Sequence, residues 1–323
     1  MSASSVFLTL RALTQKTFEF FKENKSAFLK KIEKGSGHLP EKNEVYTTDE
    51  YLSLLGLVSH KDSNLLAEVW DISLSFFLLK CLDYIGWLPT ELGKKLTDDE
   101  EYLILMLIHL RRVTQYNTHQ VAEMLSTEGG LLKTQEVGMA VRSTAALLNH
   151  SCWPNTVRCS KGFSVVIMAA FTIYPGEEVL DIYTESFHDV SKEVRQSKCT
   201  HYKFICKCRA CLSDWPLLSE LPAALHLTPK TGIKERVPMQ LVIKLGEQIH
   251  CLEQEAREFM KMKNFDGALL KWKEVCELAE SFVKHPSRIF IIIRKQIQIC
   301  LWERCGTKIR KELQQESNSQ GGK

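Results

Sequence analysis

Apolar residues recur at helical spacing over the first third of the chain. The runs YLSLLGLV and YLILMLIHL place apolar side chains three and four positions apart, as on one face of a helix. Thr47 with Glu50, and Thr97 with Glu100, have the spacing of a capping box, in which two side chains bond the backbone N–H groups that open a helix. We therefore predict a helical region over residues 1–115.

The pattern changes in the middle of the chain. TVRCSKGFSVVIMAAFTIYPGEEVLDIY is rich in β-branched and aromatic residues and is cut by KG and PG, which predicts short strands within residues 116–215. Long amphipathic segments return over residues 236–310, and we predict that this region is all helix. The polar end, KELQQESNSQGGK, is expected to be disordered. The fold class is therefore α+β.

Composition and charge narrow the class of protein. The chain has 323 residues, 44% of them apolar, and a formal net charge of +3 with no long run of one sign, which argues against a nucleic-acid or membrane partner. Eleven dispersed cysteines indicate a reducing compartment. The first eighteen residues are Ser-rich and lack acids, so a mitochondrial transit peptide stays an alternative to the cytoplasm and/or nucleus.

A cluster of cysteines carries the strongest chemical signal. Cys206, Cys208 and Cys211 form C-x-C-x-x-C, which supplies three soft ligands within six residues. A structural Zn²⁺ site takes four such ligands in a tetrahedron, so one ligand must come from elsewhere in the fold. The candidates for it are Cys152, Cys199 and His201.

The stretch NHSCWPN at residues 149–155 concentrates turn-forming and hydrogen-bonding residues directly after the apolar run AALL. Two plain interpretations exist. Asn149-His150-Ser151 is formally a glycosylation acceptor, but that requires a secreted chain, which the cysteine usage argues against. The second plain interpretation is a buried turn in which His150 is a hydrogen-bonded core histidine.

Three ordered motifs together carry a family resemblance. NHSCWPN, GEEVLDIY and YKFICKCRAC resemble the carboxyl half of a SET domain followed by a post-SET zinc segment. The stretch QEVGMAVRSTAALLNHSC and the helical carboxyl end resemble the SET and MYND domain-containing lysine methyltransferases, in their fourth subfamily or an insect relative. The resemblance implies a small-stranded, partial SET-type β fold with inserted helices, followed by an all-α tetratricopeptide-like domain.

The resemblance also divides the chain. It implies, in order, a helical insert at residues 1–115, the carboxyl half of the SET core at 116–190, a post-SET zinc segment at 191–215, a helical repeat-like domain at 236–310 and a disordered tail at 311–323. In the family, NHSC threads against a second segment in a knot-like crossing.

The resemblance assigns roles to individual residues. It implies S-adenosylmethionine as methyl donor, a lysine of a protein as acceptor, and structural Zn²⁺. Tyr183 matches the catalytic tyrosine, and Cys152 matches the fourth zinc ligand beside Cys206, Cys208 and Cys211. The residues that match cofactor-binding positions are Asn117, Asn149, His150, Tyr202 and Phe204.

The chain departs from the family at its front. It shows neither the initial Gly-x-Gly segment nor the Cys-rich MYND module, which suggests a truncated methyltransferase, with sheet edges left exposed. The alternative is a non-catalytic, zinc-stabilised SET remnant that presents a helical-repeat module to partner proteins. The helical domain is expected to contact partners in either case.

Overall fold

The computed structural model describes residues 3–34, 51–60, 64–126, 132–161, 164–222, 239–305 and 309–311. The helices are α1 (Ala3–Thr14), α2 (Phe18–Glu23), α3 (Lys25–Lys34), α4 (Tyr51–Leu55), α5 (Leu65–Tyr84), α6 (Asp98–Asn117), α7 (Lys192–Thr200), α8 (Arg209–Leu212), α9 (Met239–Lys261), α10 (Phe265–Phe282) and α11 (Arg288–Arg304). The strands are β1 (Thr118–Ser126), β2 (Leu132–Val141), β3 (Asn149–His150), β4 (Thr156–Lys161), β5 (Ser164–Ala169), β6 (Leu180–Asp181) and β7 (Ile309–Lys311).

The chain divides into two compact units. One comprises residues 1–121 and 138–147, and the other comprises residues 122–137 and 148–323. This division differs from the domain boundaries that the family resemblance implies, which stay predictions. The helices and small sheets confirm the α+β class. Among the helices of the described ranges, none is long and apolar enough to cross a bilayer.

The first unit is helical, as the apolar spacing predicts. The capping box that opens α6 is confirmed, because Thr97 Oγ1 accepts from Glu100 N–H at 3.3 Å and Glu100 Oε2 accepts from Thr97 N–H at 2.6 Å. Thr47 and Glu50 lie outside the described residues. α1, α5 and α6 bury a shared apolar core that includes Leu13, Leu78 and Leu107, so the first unit is held mainly by helix packing.

A buried ion pair lies inside that helical core. Asp71 of α5 is only 1% exposed, and its carboxylate contacts the guanidinium groups of Arg111 and Arg112 on α6. A carboxylate removed from water is tolerated when it is paired and hydrogen-bonded, as here. The pair fixes α5 against α6 at one register.

The second unit joins short strands to the carboxyl helices. β4 and β5 form an antiparallel hairpin with Arg158 opposite Ile167, and α10 packs between α9 and α11. Their common core contains Val157 of β4, Trp272 of α10 and Phe290 of α11, all about 1% exposed or less. The strands and the carboxyl helices therefore share one core.

Side chains of α11 bond the backbone of β4. Arg294 Nη2 donates to Thr156 O at 3.0 Å, Trp302 Nε1 donates to Arg158 O at 3.0 Å, and Gln298 Nε2 donates to the same carbonyl. The sequence predicts exposed sheet edges, but here a helix covers strand carbonyls, which is one way that proteins protect an edge.

The prediction that residues 236–310 are all helix is wrong at the end of that range. α11 ends at Arg304, and Ile309–Lys311 form β7, a short strand parallel to β1 with Met124 opposite Ile309. Pairing with an available strand overrides local preference in so short a segment.

Candidate functional site

The segments NHSC and LDIY meet through a two-residue parallel ladder. Asn149 of β3 lies opposite Leu180 of β6, His150 lies opposite Asp181, and Ser151 N–H donates to Asp181 O at 2.8 Å. The ladder ends there, so Tyr183, two residues beyond β6, lies beside His150. The predicted knot-like threading stays a prediction, but the two segments that it requires are adjacent.

A sharp turn delivers the chain to this ladder. Glu177 N–H donates to Tyr174 O at 2.9 Å, with Pro175 and Gly176 between them. Gly176 has φ +88°, the left-handed value that the third residue of a type II turn requires and that glycine adopts without strain. The PG turn that the sequence predicts is therefore confirmed.

Four of the predicted site residues form one cluster of rings. The Tyr183 ring centroid lies 5.3 Å from those of His150 and Tyr202, and 6.3 Å from that of Phe204. Lys203 stands between Tyr202 and Phe204 with φ +61°, a left-handed conformation that is uncommon for a non-glycine residue. This backbone kink lets both flanking rings face Tyr183. A cluster of aromatic faces is suited to a cationic ligand.

The Tyr183 hydroxyl is held as a hydrogen-bond donor. It donates to Leu148 O. Burial, helped by the nearby carboxylate of Asp181, raises the pKa of Tyr183 to about 12. The phenol therefore stays protonated near neutral pH, and its oxygen lone pairs remain available as acceptors. A phenol that stays protonated in this way is poorly suited to act as a general base, and the catalytic role of Tyr183 stays a prediction.

The two predicted asparagine contacts differ in setting. Asn149 is exposed, and its amide donates to Glu178 Oε1. Asn117 lies in the other unit, where its amide nitrogen donates to Val58 O at 2.6 Å and to Val113 O at 2.8 Å. Both hydrogens of that amide are therefore engaged within the helical unit. Cofactor binding by either asparagine stays a prediction.

The sulfur atoms of Cys152, Cys206, Cys208 and Cys211 all lie within 4.8 Å of one another. Cys152 Sγ is 3.9 Å from Cys206 Sγ and 3.6 Å from Cys211 Sγ. A tetrahedral Zn²⁺ with Zn–S bonds of about 2.3 Å needs sulfurs roughly 3.8 Å apart, so the residues fit that ion. Cys199 lies outside this set, and the side chain of His201 is on an exposed residue. The spacing of the sulfurs favours Cys152 as the fourth ligand.

The thiols of Cys152, Cys206 and Cys211 have shifted pKa values. The hydrogen bond that the Cys152 thiol donates to the Cys206 sulfur raises the pKa of Cys152 and lowers the pKa of Cys206. Burial raises the pKa of Cys211 to about 11. Close buried thiols cannot all ionise unaided, because each thiolate repels the next. A bound dication would favour the thiolate form at every position.

Two residues of α7 that the sequence analysis missed support the cysteines. Arg195, fully buried, directs Nη2 at Cys211 Sγ over 4.0 Å. Gln196 Oε1 accepts from Cys206 N–H at 2.9 Å, and its Nε2 donates to Cys206 O at 2.8 Å. The cation offsets the negative charge of thiolates, and the amide fixes the Cys206 backbone. The sequence indicated this role only weakly, through two adjacent polar residues on a short helix, one of which is an arginine that faces the core.

Comparison with known proteins matches the SET domain over residues 40–184. Human N-lysine methyltransferase SMYD2 is 36% identical over 180 residues, which are 51% of this chain and 37% of that protein. Zebrafish N-lysine methyltransferase SMYD2-B is 31% identical over 171 residues, with the same shares of each chain. A SET and MYND domain-containing protein of Dictyostelium discoideum is 36% identical over 77 residues, 24% of this chain and 6% of that protein.

The chain thus spans 37% of the length of the SMYD2 proteins named here. The SMYD2 proteins are named for a subfamily other than the fourth. The assignment of this chain to the fourth subfamily or to an insect relative therefore stays a prediction. The residues that match the SET domain include the motifs NHSCWPN and GEEVLDIY, and with the second motif Tyr183 of the ring cluster. Residues 40–184 thus match a SET domain, and about half of the chain is similar to proteins named N-lysine methyltransferase SMYD2.

Proposed function

We propose that this chain is a SET-type protein-lysine N-methyltransferase that uses S-adenosylmethionine. One observation carries the proposal: the rings of His150, Tyr183, Tyr202 and Phe204 are gathered at the β3–β6 ladder, directly beside a four-cysteine cluster. The SET match and the lysine methyltransferases among the relatives supply the reaction class.

The residues that would hold the cofactor are those of this cluster together with Asn149. S-adenosylmethionine, when bound, supplies a methyl group on a positively charged sulfonium. Aromatic faces attract such a cation by an interaction of about 0.5–2 kcal/mol. Asn149, exposed at the start of β3, offers amide and backbone groups to the polar ends of the ligand. These assignments rest on the geometry of the side chains and on the family resemblance.

Methyl transfer to lysine is an in-line displacement. The C–S bond breaks as the N–C bond forms, and the lysine must have lost its ammonium proton to water beforehand. Ring-lined, partly desolvated surroundings disfavour the ammonium form and lower the lysine pKa. The Tyr183 oxygen, whose hydrogen is bound to Leu148 O, can accept from the amine N–H and so orient the lone pair.

Zinc has a structural role in this proposal. Cys152 follows β3, whereas Cys206, Cys208 and Cys211 follow Tyr202 and Phe204. An ion shared by these four sulfurs would tie the segment that carries two of the rings to the ladder beneath Tyr183. Loss of the ion is expected to loosen the ring cluster before it unfolds the unit.

The experiment is a calorimetric titration of S-adenosylmethionine into the zinc-loaded chain. Micromolar binding supports the proposal, and transfer of a labelled methyl group to a library of lysine-containing peptides then tests the reaction. Tyr183→Phe should keep cofactor binding and lower turnover by about 10²-fold, because the ring loses its anchor at Leu148 O. Tyr174→Phe, at the exposed PG turn, is the matched control and should change neither.

A folded, zinc-loaded chain that binds no S-adenosylmethionine would contradict catalysis by this polypeptide. The non-catalytic interaction module, with partners on α9, α10 and α11, would then be the better account.

A further inference from the structure

The His150 side chain bridges two parts of the site. Its Nδ1 accepts from Tyr183 N–H at 2.9 Å, and its Nε2 lies 3.4 Å from Cys152 Sγ. The residue is only 9% exposed, and its ring packs against the rings of Tyr183 and Phe204. The imidazole is therefore fixed at both nitrogens and on its faces.

The hydrogen bonds determine which nitrogen carries the ring hydrogen. A backbone N–H can only donate, so Nδ1 must be the unprotonated acceptor. The ring hydrogen then lies on Nε2 and points at the Cys152 sulfur. A thiolate that binds a metal keeps lone pairs that can accept such a donor. Each polar atom of the buried ring thus has a partner of the matching kind.

The position of His150 explains why a side chain is needed there. The β3–β6 ladder ends at the pair of His150 and Asp181, and the last backbone bond beyond it comes from Ser151 N–H. Tyr183 N–H, two residues further along, is taken by the imidazole. The side chain therefore continues the hydrogen bonding of the ladder at the residue whose hydroxyl must be placed.

We propose that His150 is a positioning residue that couples the cysteine cluster to Tyr183. Through Nδ1 it fixes the Tyr183 backbone, and through Nε2–H it fixes the Cys152 thiolate. A displacement of Cys152 is transmitted through one rigid ring to the tyrosine. This inference rests on the proposed function for its consequence in methyl transfer, but the two hydrogen bonds can be tested without it.

Two substitutions separate the two hydrogen bonds. His150→Asn keeps a side-chain oxygen near the place of Nδ1 and removes the Nε2 donor. His150→Gln keeps an amide N–H near the place of Nε2 and removes the Nδ1 acceptor. His188→Gln is the matched control, since His188 is a partly buried imidazole of the same unit that bonds Ser186 instead.

The expected results differ between the variants. Chelator competition on the full chain should show zinc affinity lowered about 10–100-fold in His150→Asn and changed little in His150→Gln and His188→Gln. Turnover at saturating substrate should fall about 10²-fold in His150→Gln, with a smaller change in KM, because the Tyr183 hydroxyl moves. Equal losses in both His150 variants would indicate simple packing and overturn the proposal.

Nitrogen NMR of histidine-labelled, zinc-loaded wild-type chain gives a readout that needs no variant to fold. Nδ1 should show the shift of an unprotonated acceptor and Nε2 that of a protonated nitrogen. A hydrogen on Nδ1 would overturn the proposal whether or not the chain transfers methyl groups. Measurements of zinc affinity and of the histidine tautomer therefore test the positioning role of His150, whereas the cofactor titration tests the proposed methyltransferase function.

Discussion

Removing one sulfur from the cysteine cluster gives a sharp test of the site. Cys206 and Cys199 are both buried in the same apolar cluster. Cys199 lies on α7 and the backbone of Cys206 bonds Gln196 of α7, yet only Cys206 belongs to the set of four mutually close sulfurs. Cys206→Ser removes a ligand, and Cys199→Ser removes a buried neighbour. The pair separates metal binding from packing.

The magnitude follows from the number of ligands in the cluster. Structural zinc sites bind with about 10–16 kcal/mol at neutral pH. Four sulfurs at tetrahedral spacing share that free energy, so each contributes about 2.5–4 kcal/mol. Since about 1.36 kcal/mol is a factor of ten, Cys206→Ser should weaken zinc binding roughly 70- to 1,000-fold. Cys199→Ser should change it less than about tenfold, the lower end of effects from groups around a metal site.

The assay is competition with a chromophoric chelator of known zinc affinity, together with the zinc content of the purified chain. One zinc per wild-type chain is expected. Retention of full affinity by Cys206→Ser would refute the assignment. A loss in Cys199→Ser as large as in Cys206→Ser would show that Cys199 is a ligand, and Cys152→Ser would then be expected to keep its zinc.

Three further predictions concern stability and protonation. Asp71→Asn should lower the free energy of unfolding, measured by urea denaturation, by about 3–5 kcal/mol, because it leaves the guanidinium charge of Arg111 buried without its partner. Asp99→Asn, at a partly exposed ion pair, should lower it by less than about 1 kcal/mol. Trp272→Ala should cost about 3–5 kcal/mol by the same measurement, since Trp272 is fully buried and a cavity would remain. The raised pKa of Tyr183, about 12, means that its contribution to stability is fully present below pH 10 and is lost as pH rises through about 12; the absorbance difference between wild type and Tyr183→Phe measures this titration. Equal effects at Asp71 and Asp99, or phenolate at pH 10, would contradict these assignments.

Local patterns in the sequence predicted part of this structure. The Thr97–Glu100 spacing predicted the start of α6 because a capping box is complete within four residues. The C-x-C-x-x-C spacing predicted three metal ligands for the same reason. The fourth sulfur of the cluster, that of Cys152, lies 54 residues before Cys206, so spacing alone left Cys152, Cys199 and His201 open as the fourth ligand, and the family resemblance favoured Cys152.

Features that depend on the tertiary fold escaped the sequence analysis. His150 matches a cofactor-binding position of the family, which stays a prediction. The contacts of its ring nitrogens with Tyr183 and Cys152 depend on where β6 ends, and the sequence analysis did not predict them. β7 was missed because three residues carry no periodicity. The hydrogen-bond donors Arg294, Gln298 and Trp302, spaced four residues apart on α11, were an available signal for a strand edge beside that helix.

The bonds between α11 and β4 also constrain how the chain is made. Trp302 lies 144 residues after the carbonyl that it binds. At about 5–20 residues per second, a ribosome needs roughly 7–30 s to synthesise that interval. During this time β4 has been synthesised but the side chains that bond its carbonyls have not, so the hairpin must wait in an incomplete state. Completion of this unit therefore waits until α11 has been synthesised, and until then the β4 carbonyls lack these side-chain donors.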